Sequence, residues 1–232
     1  MTDAPDRFYK EVRVEARGDK YVILLDERPA KLSNVVLETP TCALADALAV
    51  EWEAHADKID IETMTMSSML AASLSSEDAA SYATSEILQY LGTDLLCYRA
   101  DNDDALSIEQ HEKWAPYLDW FEGKFGHQLN ITAGIVSIDQ SQDVFDVVRA
   151  HLKDISTPAL FALARATKLI GSAVMGLAVW EEAFAPERVF TDSRVDEHYQ
   201  ERKWGVDQEA RAREAALAQE FSVLTRFISL LR

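Results

Sequence analysis

The chain has 232 residues, 48% hydrophobic and 27% charged, a globular composition with enough apolar mass for one large or two modest cores. Its formal net charge of −17 repels phosphate backbones and anionic lipid, which argues against nucleic acid and membranes as partners. Plain solubility and an acidic docking surface for a basic partner both fit that charge. Cys42 and Cys97 have neither the number nor the spacing of a disulfide framework or a metal knuckle, so both are expected in a core, in a reducing compartment. Met1 to Lys10 lacks the apolar run of a signal peptide and the Arg-rich character of a transit peptide. The best membrane candidate, Ala159 to Trp180, is interrupted by Arg165 and Lys168. Leu169 to Trp180 falls short of the roughly twenty apolar residues that span a bilayer, so the stretch reads as a buried core helix.

In chain order, Val12 and Val14 alternate with charged neighbours, Arg17 to Lys20 supplies a turn, and Tyr21, Ile23 and Leu25 alternate again, which predicts a β-hairpin. Asp26 to Pro29 is a second turn, and short extended pieces at Ala30 to Leu32 and Val35 to Leu37 can add to the sheet. Leu44, Leu48 and Trp52 share one face of a helix predicted from Thr41 to Lys58, which covers one side of that sheet. From Glu77 the period is helical. Ile87, Leu91 and Leu95 form one stripe, and Ser107 to Gln110 has capping-box form ahead of a stripe of Trp114, Leu118, Phe121 and Phe125 that Gly126 ends. Ile131 to Ile138 is extended. Val144, Val147, Val148 and Leu152 mark the next helix. Thr157-Pro158 opens a very apolar helix through Leu177, and Ala185 to Arg232 is helical and charged, with a break near Trp204-Gly205. The predicted fold class is α+β: a small β-rich domain with a covering helix over residues 1–75, then a larger all-helical domain over 76–232.

Motifs for chemistry start and fail. His111-Glu112 begins a zinc-protease motif, but Ala115 stands where the second histidine belongs. Asp101, Asp103 and Glu112 match three calcium-loop positions, yet Ala105 and Leu106 occupy the fifth and the sixth, where an oxygen ligand and glycine belong. Gly171 to Gly176 has P-loop spacing without the lysine, Leu177 taking its place, and no Gly-x-Ser-x-Gly elbow exists. His55, His111, His127, His151 and His198 are scattered and read as surface or boundary residues. Glu51 with Glu53, or Asp196 with Glu197, are pairs suited to acid/base work, but composition this acidic produces such pairs by itself. No catalytic residue, metal site or cofactor is expected.

Three segments carry a different pattern: Arg7-Phe8-Tyr9-Lys10; Thr93-Asp94-Leu95-Leu96-Cys97-Tyr98-Arg99 with Gln110, Trp114, Pro116 and Trp120 downstream; and Val195-Asp196-Glu197 with Gln200 and Trp204-Gly205. With Leu25, Asp26, Arg28 and Pro29 they fall in one order from about Arg7 to Glu209. In that ordered set the chain resembles the F1-ATPase assembly chaperones that serve the alpha subunit of ATP synthase. It departs from their pattern at Leu32-Ser33, where Thr-Pro is usual, and at Met64-Thr65 and Ser75, where Met-Pro and an aspartate are usual.

The resemblance implies a non-enzymatic chaperone of two domains that holds the unassembled alpha subunit, and the chain is expected to act as a monomer. The lack of transit-peptide character suggests a bacterial cytoplasmic location, and a trimmed mitochondrial chain of the matrix would look similar. The expected partner-facing patch is Glu197, Gln200, Trp204 and Asp207. The first three are spaced i, i+3 and i+7 and share a helix face if that helix is continuous. Trp204 has two readings, a client anchor or a core residue capped by Gly205, while Trp114 and Trp120 read as core. Competing functions are a carboxylate-based hydrolase with an interdomain cleft and a structural subunit of a stable complex.

Overall fold

The computed structural model describes residues 5–100, 105–134 and 136–232. The chain forms two compact units, one comprising Met1–Ala80 with Thr157–Ala162 and Arg226–Arg232, the other Ser81–Ser156 with Leu163–Thr225.

In the first unit the hairpin is present. β1 (Val12–Arg17) and β2 (Lys20–Leu25) pair antiparallel with Arg17 opposite Lys20, and Gly18 takes the positive φ (67°) that a two-residue turn needs. β3 (Arg28–Pro29) pairs with the end of β2. The next pieces, β4 (Lys31–Leu32) and β5 (Val35–Val36), do not join this sheet. Ser33 and Asn34, both at positive φ, fold them back on each other as a separate ladder. β6 (Glu38–Thr39) then returns to β2 opposite Tyr21 and Val22.

Helix α1 (Cys42–Glu53) packs on β1 and β2 and buries Leu44, Leu48 and Trp52, the predicted stripe. Thr41 caps it by accepting from Leu44 N. Cys42 lies in the exposed first turn and is not a core residue. The helix stops at Glu53, short of the predicted Lys58, because the following backbone is taken up by the amino-terminal segment. Arg7 N donates to Asp57 O (2.7 Å), Ile59 N to Pro5 O (2.8 Å), and the Arg7 guanidinium to His55 O, while Tyr9 OH donates to Trp52 O (2.6 Å). The Arg-Phe-Tyr-Lys segment is thus a clasp, and His55 beneath it is buried rather than a surface residue. A helix the periodicity does not announce, α2 (Thr65–Leu74), starts where both Glu51 carboxylate oxygens accept amide protons, from Met66 N and Ser67 N at 2.8 Å each. A carboxylate favours that position because amides without helical partners and the positive dipole end converge there.

In the second unit, α3 (Ala79–Gly92) buries Ile87 and Leu91, but Leu95 lies beyond it in a 3₁₀ turn, Leu95–Cys97. β7 (Tyr98–Arg99) follows, then α4 (Ala105–Phe125), which already includes Ser107, so the expected capping box does not mark its start. Asp101 and Asp103 of the failed calcium loop lie outside the described residues. α4 buries Trp114, Tyr117, Phe121 and Phe125, while Trp120 is half-buried. Gly126 ends the helix in the left-handed region. β8 (Thr132–Ala133) pairs in parallel with β7, a short ladder within the otherwise helical part.

α5 (Gln142–Leu152) buries Val144, Val148 and Leu152. The single apolar helix expected from Thr157 to Leu177 is two helices, α6 (Thr157–Ile170, capped at Ser156 rather than Thr157) and α7 (Ala173–Trp180). Gly171 at φ 74° ends the first, and Ser172 opens the second by accepting from Met175 N. α7 is buried from Ala173 to Val179, and α4 packs against it as well as against α5. A Cβ on Gly176 would stand 2.5 Å from Thr167 Oγ1, so only glycine allows this approach. The charged stretch forms α8 (Pro186–Asp192), α9 (Val195–Trp204) and α10 (Gln208–Leu230), with one break at Gly205 as expected and another at Ser193-Arg194. The architecture is α+β, short strands with a covering helix and then helices. No helix among the described residues is long and apolar enough to cross a membrane.

Candidate partner-binding surface

The site is carried by α9, whose sequence VDEHYQERKW has one buried side chain, Val195. A helix polar on nearly every face cannot be held by apolar packing, so it depends on specific polar bonds. The second and third signature segments supply them. Gln110 accepts from Ala100 N (2.8 Å) through its Oε1 and donates from Nε2 to Asp196 Oδ1 (2.7 Å). Arg99 donates to Gln110 O (2.7 Å) and stacks over Trp114, whose indole N–H donates to Asp192 O (2.7 Å), just ahead of α9. Burial lowers the pKa of Arg99 to about 10, so it stays cationic at neutral pH. Further along, Arg202 pairs with Glu109, and Arg194 donates to Leu169 O (2.9 Å). Asp196 therefore faces inward as an anchor of the helix.

The residues one and four places on face out. Glu197 and Gln200 are exposed, and Trp204 at the end of α9 is 71% exposed, the most exposed large apolar side chain among the described residues. Trp204 is therefore not a core residue. Gly205, at φ 96°, ends the helix, and Asp207 opens α10 by accepting from Glu209 N (2.9 Å). α9 is continuous from Val195 to Trp204, so the i, i+3, i+7 condition holds. Glu197, Gln200, Trp204 and Asp207 line one shallow groove between α9 and the first turns of α10.

Glu201, Ala210, Arg211 and Glu214, with Gly205, complete the lining. Sequence reading passed over them, although Glu201 follows Glu197 at i+4 and Asp207, Ala210, Arg211 and Glu214 repeat at helical spacing. Four carboxylates face one guanidinium. In the free protein three of the four are paired: Arg194 donates to Glu197 (2.8 Å), Arg211 to Glu201 (2.6 Å), and His198 lies 2.7 Å from Glu214. Exposed pairs of this kind contribute about 0–1 kcal/mol each and exchange readily.

The other carboxylate pairs have structural occupations. Glu51 caps α2, and Asp196 anchors α9. Among the described residues no three His, Cys, Asp or Glu side chains converge as a metal-ligand set. What remains is a concave surface lined by carboxylates with an uncovered indole at its edge, a candidate for contact with another macromolecule.

The comparisons agree with that class. The family model of the ATP12 chaperone protein matches residues 6–122. The crystal structure of Atp12 from Paracoccus denitrificans is 33% identical, covers 98% of this chain and 99% of its own, and superposes with a TM-score of 0.91. A protein from Agrobacterium tumefaciens is 30% identical over 98% of this chain and 87% of its own, also with a TM-score of 0.91. The mitochondrial protein atp12 of Schizosaccharomyces pombe is 23% identical in a 218-residue alignment that covers 88% of this chain and 75% of the relative. The chain belongs to the ATP12 chaperone family, the F1-ATPase assembly chaperones that its sequence resembles.

Proposed function

We propose that this chain is a non-enzymatic chaperone that holds the unassembled alpha subunit of F1-ATPase until it is incorporated, acting as a monomer in the bacterial cytoplasm or, in a eukaryotic setting, the mitochondrial matrix. An unassembled subunit exposes interface that would otherwise aggregate, and a reversible cover must bind it without contacts as extensive as the final ones. The observation that carries this reading is Trp204, exposed at the edge of the groove with Glu197, Gln200 and Asp207 beside it. An aromatic anchor within a polar rim is the usual centre of a protein interface, and the acidic surround speeds encounter and discriminates among partners.

Co-purification tests this reading. The tagged chain should capture free alpha subunit and leave assembled F1-ATPase behind. The double variant Glu197→Ala/Trp204→Ala should keep the parent's circular dichroism spectrum and bind about tenfold more weakly or worse. Equal capture of assembled enzyme would point to a permanent subunit, and parent-like affinity of the double variant would move the patch elsewhere.

A further inference from the structure

Resting on that reading, we propose that the α9–α10 groove takes an arginine-bearing segment of the client, the guanidinium stacking on Trp204 and bonding to the carboxylates of Glu201 and Asp207. Three features lead to arginine. First, the lining sets Glu197, Glu201, Asp207 and Glu214 against Arg211 alone, so the occupant is cationic. Second, the indole of Trp204 is uncovered, and a planar guanidinium both stacks on an aromatic face and bridges carboxylates with paired N–H donors. A lysine ammonium is a point charge with stronger hydration.

Third, the chain's own cations already occupy these positions in outline. The Lys203 ammonium stands 5.6 Å from the Trp204 ring centroid, and the guanidiniums of Arg194 and Arg211 hold Glu197 and Glu201. Lys203 and Arg211 are largely exposed, so a client arginine can displace them from Trp204 and Glu201 in a one-for-one exchange, while Arg194, also bonded to Leu169 O, stays in place. The same groove disfavours a second copy of this chain, because a face-to-face dimer would bring two acidic linings together.

The test measures binding of the intact chain to isolated alpha subunit that is untreated, arginine-blocked with cyclohexanedione, or lysine-acetylated, with circular dichroism on each sample. Arginine blocking should weaken binding about tenfold or more, and lysine acetylation less than about threefold. Trp204→Leu, which keeps apolar area and removes the aromatic face, should weaken binding several-fold. A larger loss on acetylation, or undiminished binding by Trp204→Leu, overturns the inference. Self-association of the free chain through this face, lost in Trp204→Leu, also overturns it.

A second arm does not depend on the client. Short peptides that differ only in carrying arginine or lysine are titrated against parent chain and Trp204→Leu, with isothermal titration calorimetry as the readout. Preference for the arginine peptide that disappears in Trp204→Leu supports the inference; equal binding of both peptides sinks it. Failure to bind untreated alpha subunit at all counts against the proposed function, and the peptide arm then decides the arginine question alone.

Discussion

Asp94 is fully buried beside the start of α7, where its carboxylate accepts from Leu96 N (3.1 Å) and Val174 N (3.0 Å). Burial, which penalises the charged form, raises its pKa to about 6 against the downward pull of those hydrogen bonds. The folded state therefore binds the proton more tightly than the unfolded chain. This group's contribution to stability is fully present below the unfolded value near 3.8 and is lost as pH rises to about 6. Thermal unfolding followed from pH 4 to 7 should show that loss in the parent relative to Asp94→Asn, whose own profile lacks this component. Parallel profiles for the two proteins would mean that the bonds to the charged form cancel the effect of burial, and a relative gain with rising pH that they outweigh it. The Thr-Asp-Leu-Leu run was visible in the sequence, but its role as a cap on a helix some eighty residues away was not. A partner so distant in the chain leaves no local trace at the aspartate.

Among the elements, α9 is the one whose place is decided by few bonds. Gln110→Ala removes the acceptor of Ala100 N and the donor to Asp196 together. Loss of such partly buried bonds costs about 1–3 kcal/mol, so the variant should melt several degrees lower. It should also bind the client more weakly although Gln110 does not line the groove, because α9 loses its fixed orientation. Amide exchange confined to faster opening of α9 would support this, and unchanged exchange would contradict it. Strongly periodic elements such as β1, β2, α1, α4 and α5 were legible because a single buried face imposes its period on the sequence. α2 was not: its small and apolar residues bury most of its surface, and its start is set by Glu51 from another helix. The α6–α7 break was hidden for a related reason. Both helices are apolar enough to merge into one run, although Gly171-Ser172 is a stop and a start in sequence.

At the scale of the whole molecule, a net charge of −17 makes the folded chain repel itself, while its exposed ion pairs contribute little each. Screening should therefore relieve more repulsion than it removes attraction. Raising salt from about 20 mM to about 500 mM should increase Tm by a few degrees, as read by differential scanning calorimetry, and a fall in Tm would show that the ion-pair network dominates instead. The sequence by itself determined the α+β class, the hairpin with its covering helix, the helical remainder and the ordered segments that mark the family. These are written in local periods, caps and turn residues, which depend on neighbours along the chain. Only the tertiary structure decided that Arg7 and Tyr9 form a clasp, that Asp196 turns inward while Glu197 turns outward, and that Trp204 is uncovered. Periodicity places residues on a helix face but does not say which face is packed. On a helix as polar as α9, that is decided by Gln110, Arg99 and Glu109, brought from elsewhere in the chain by folding.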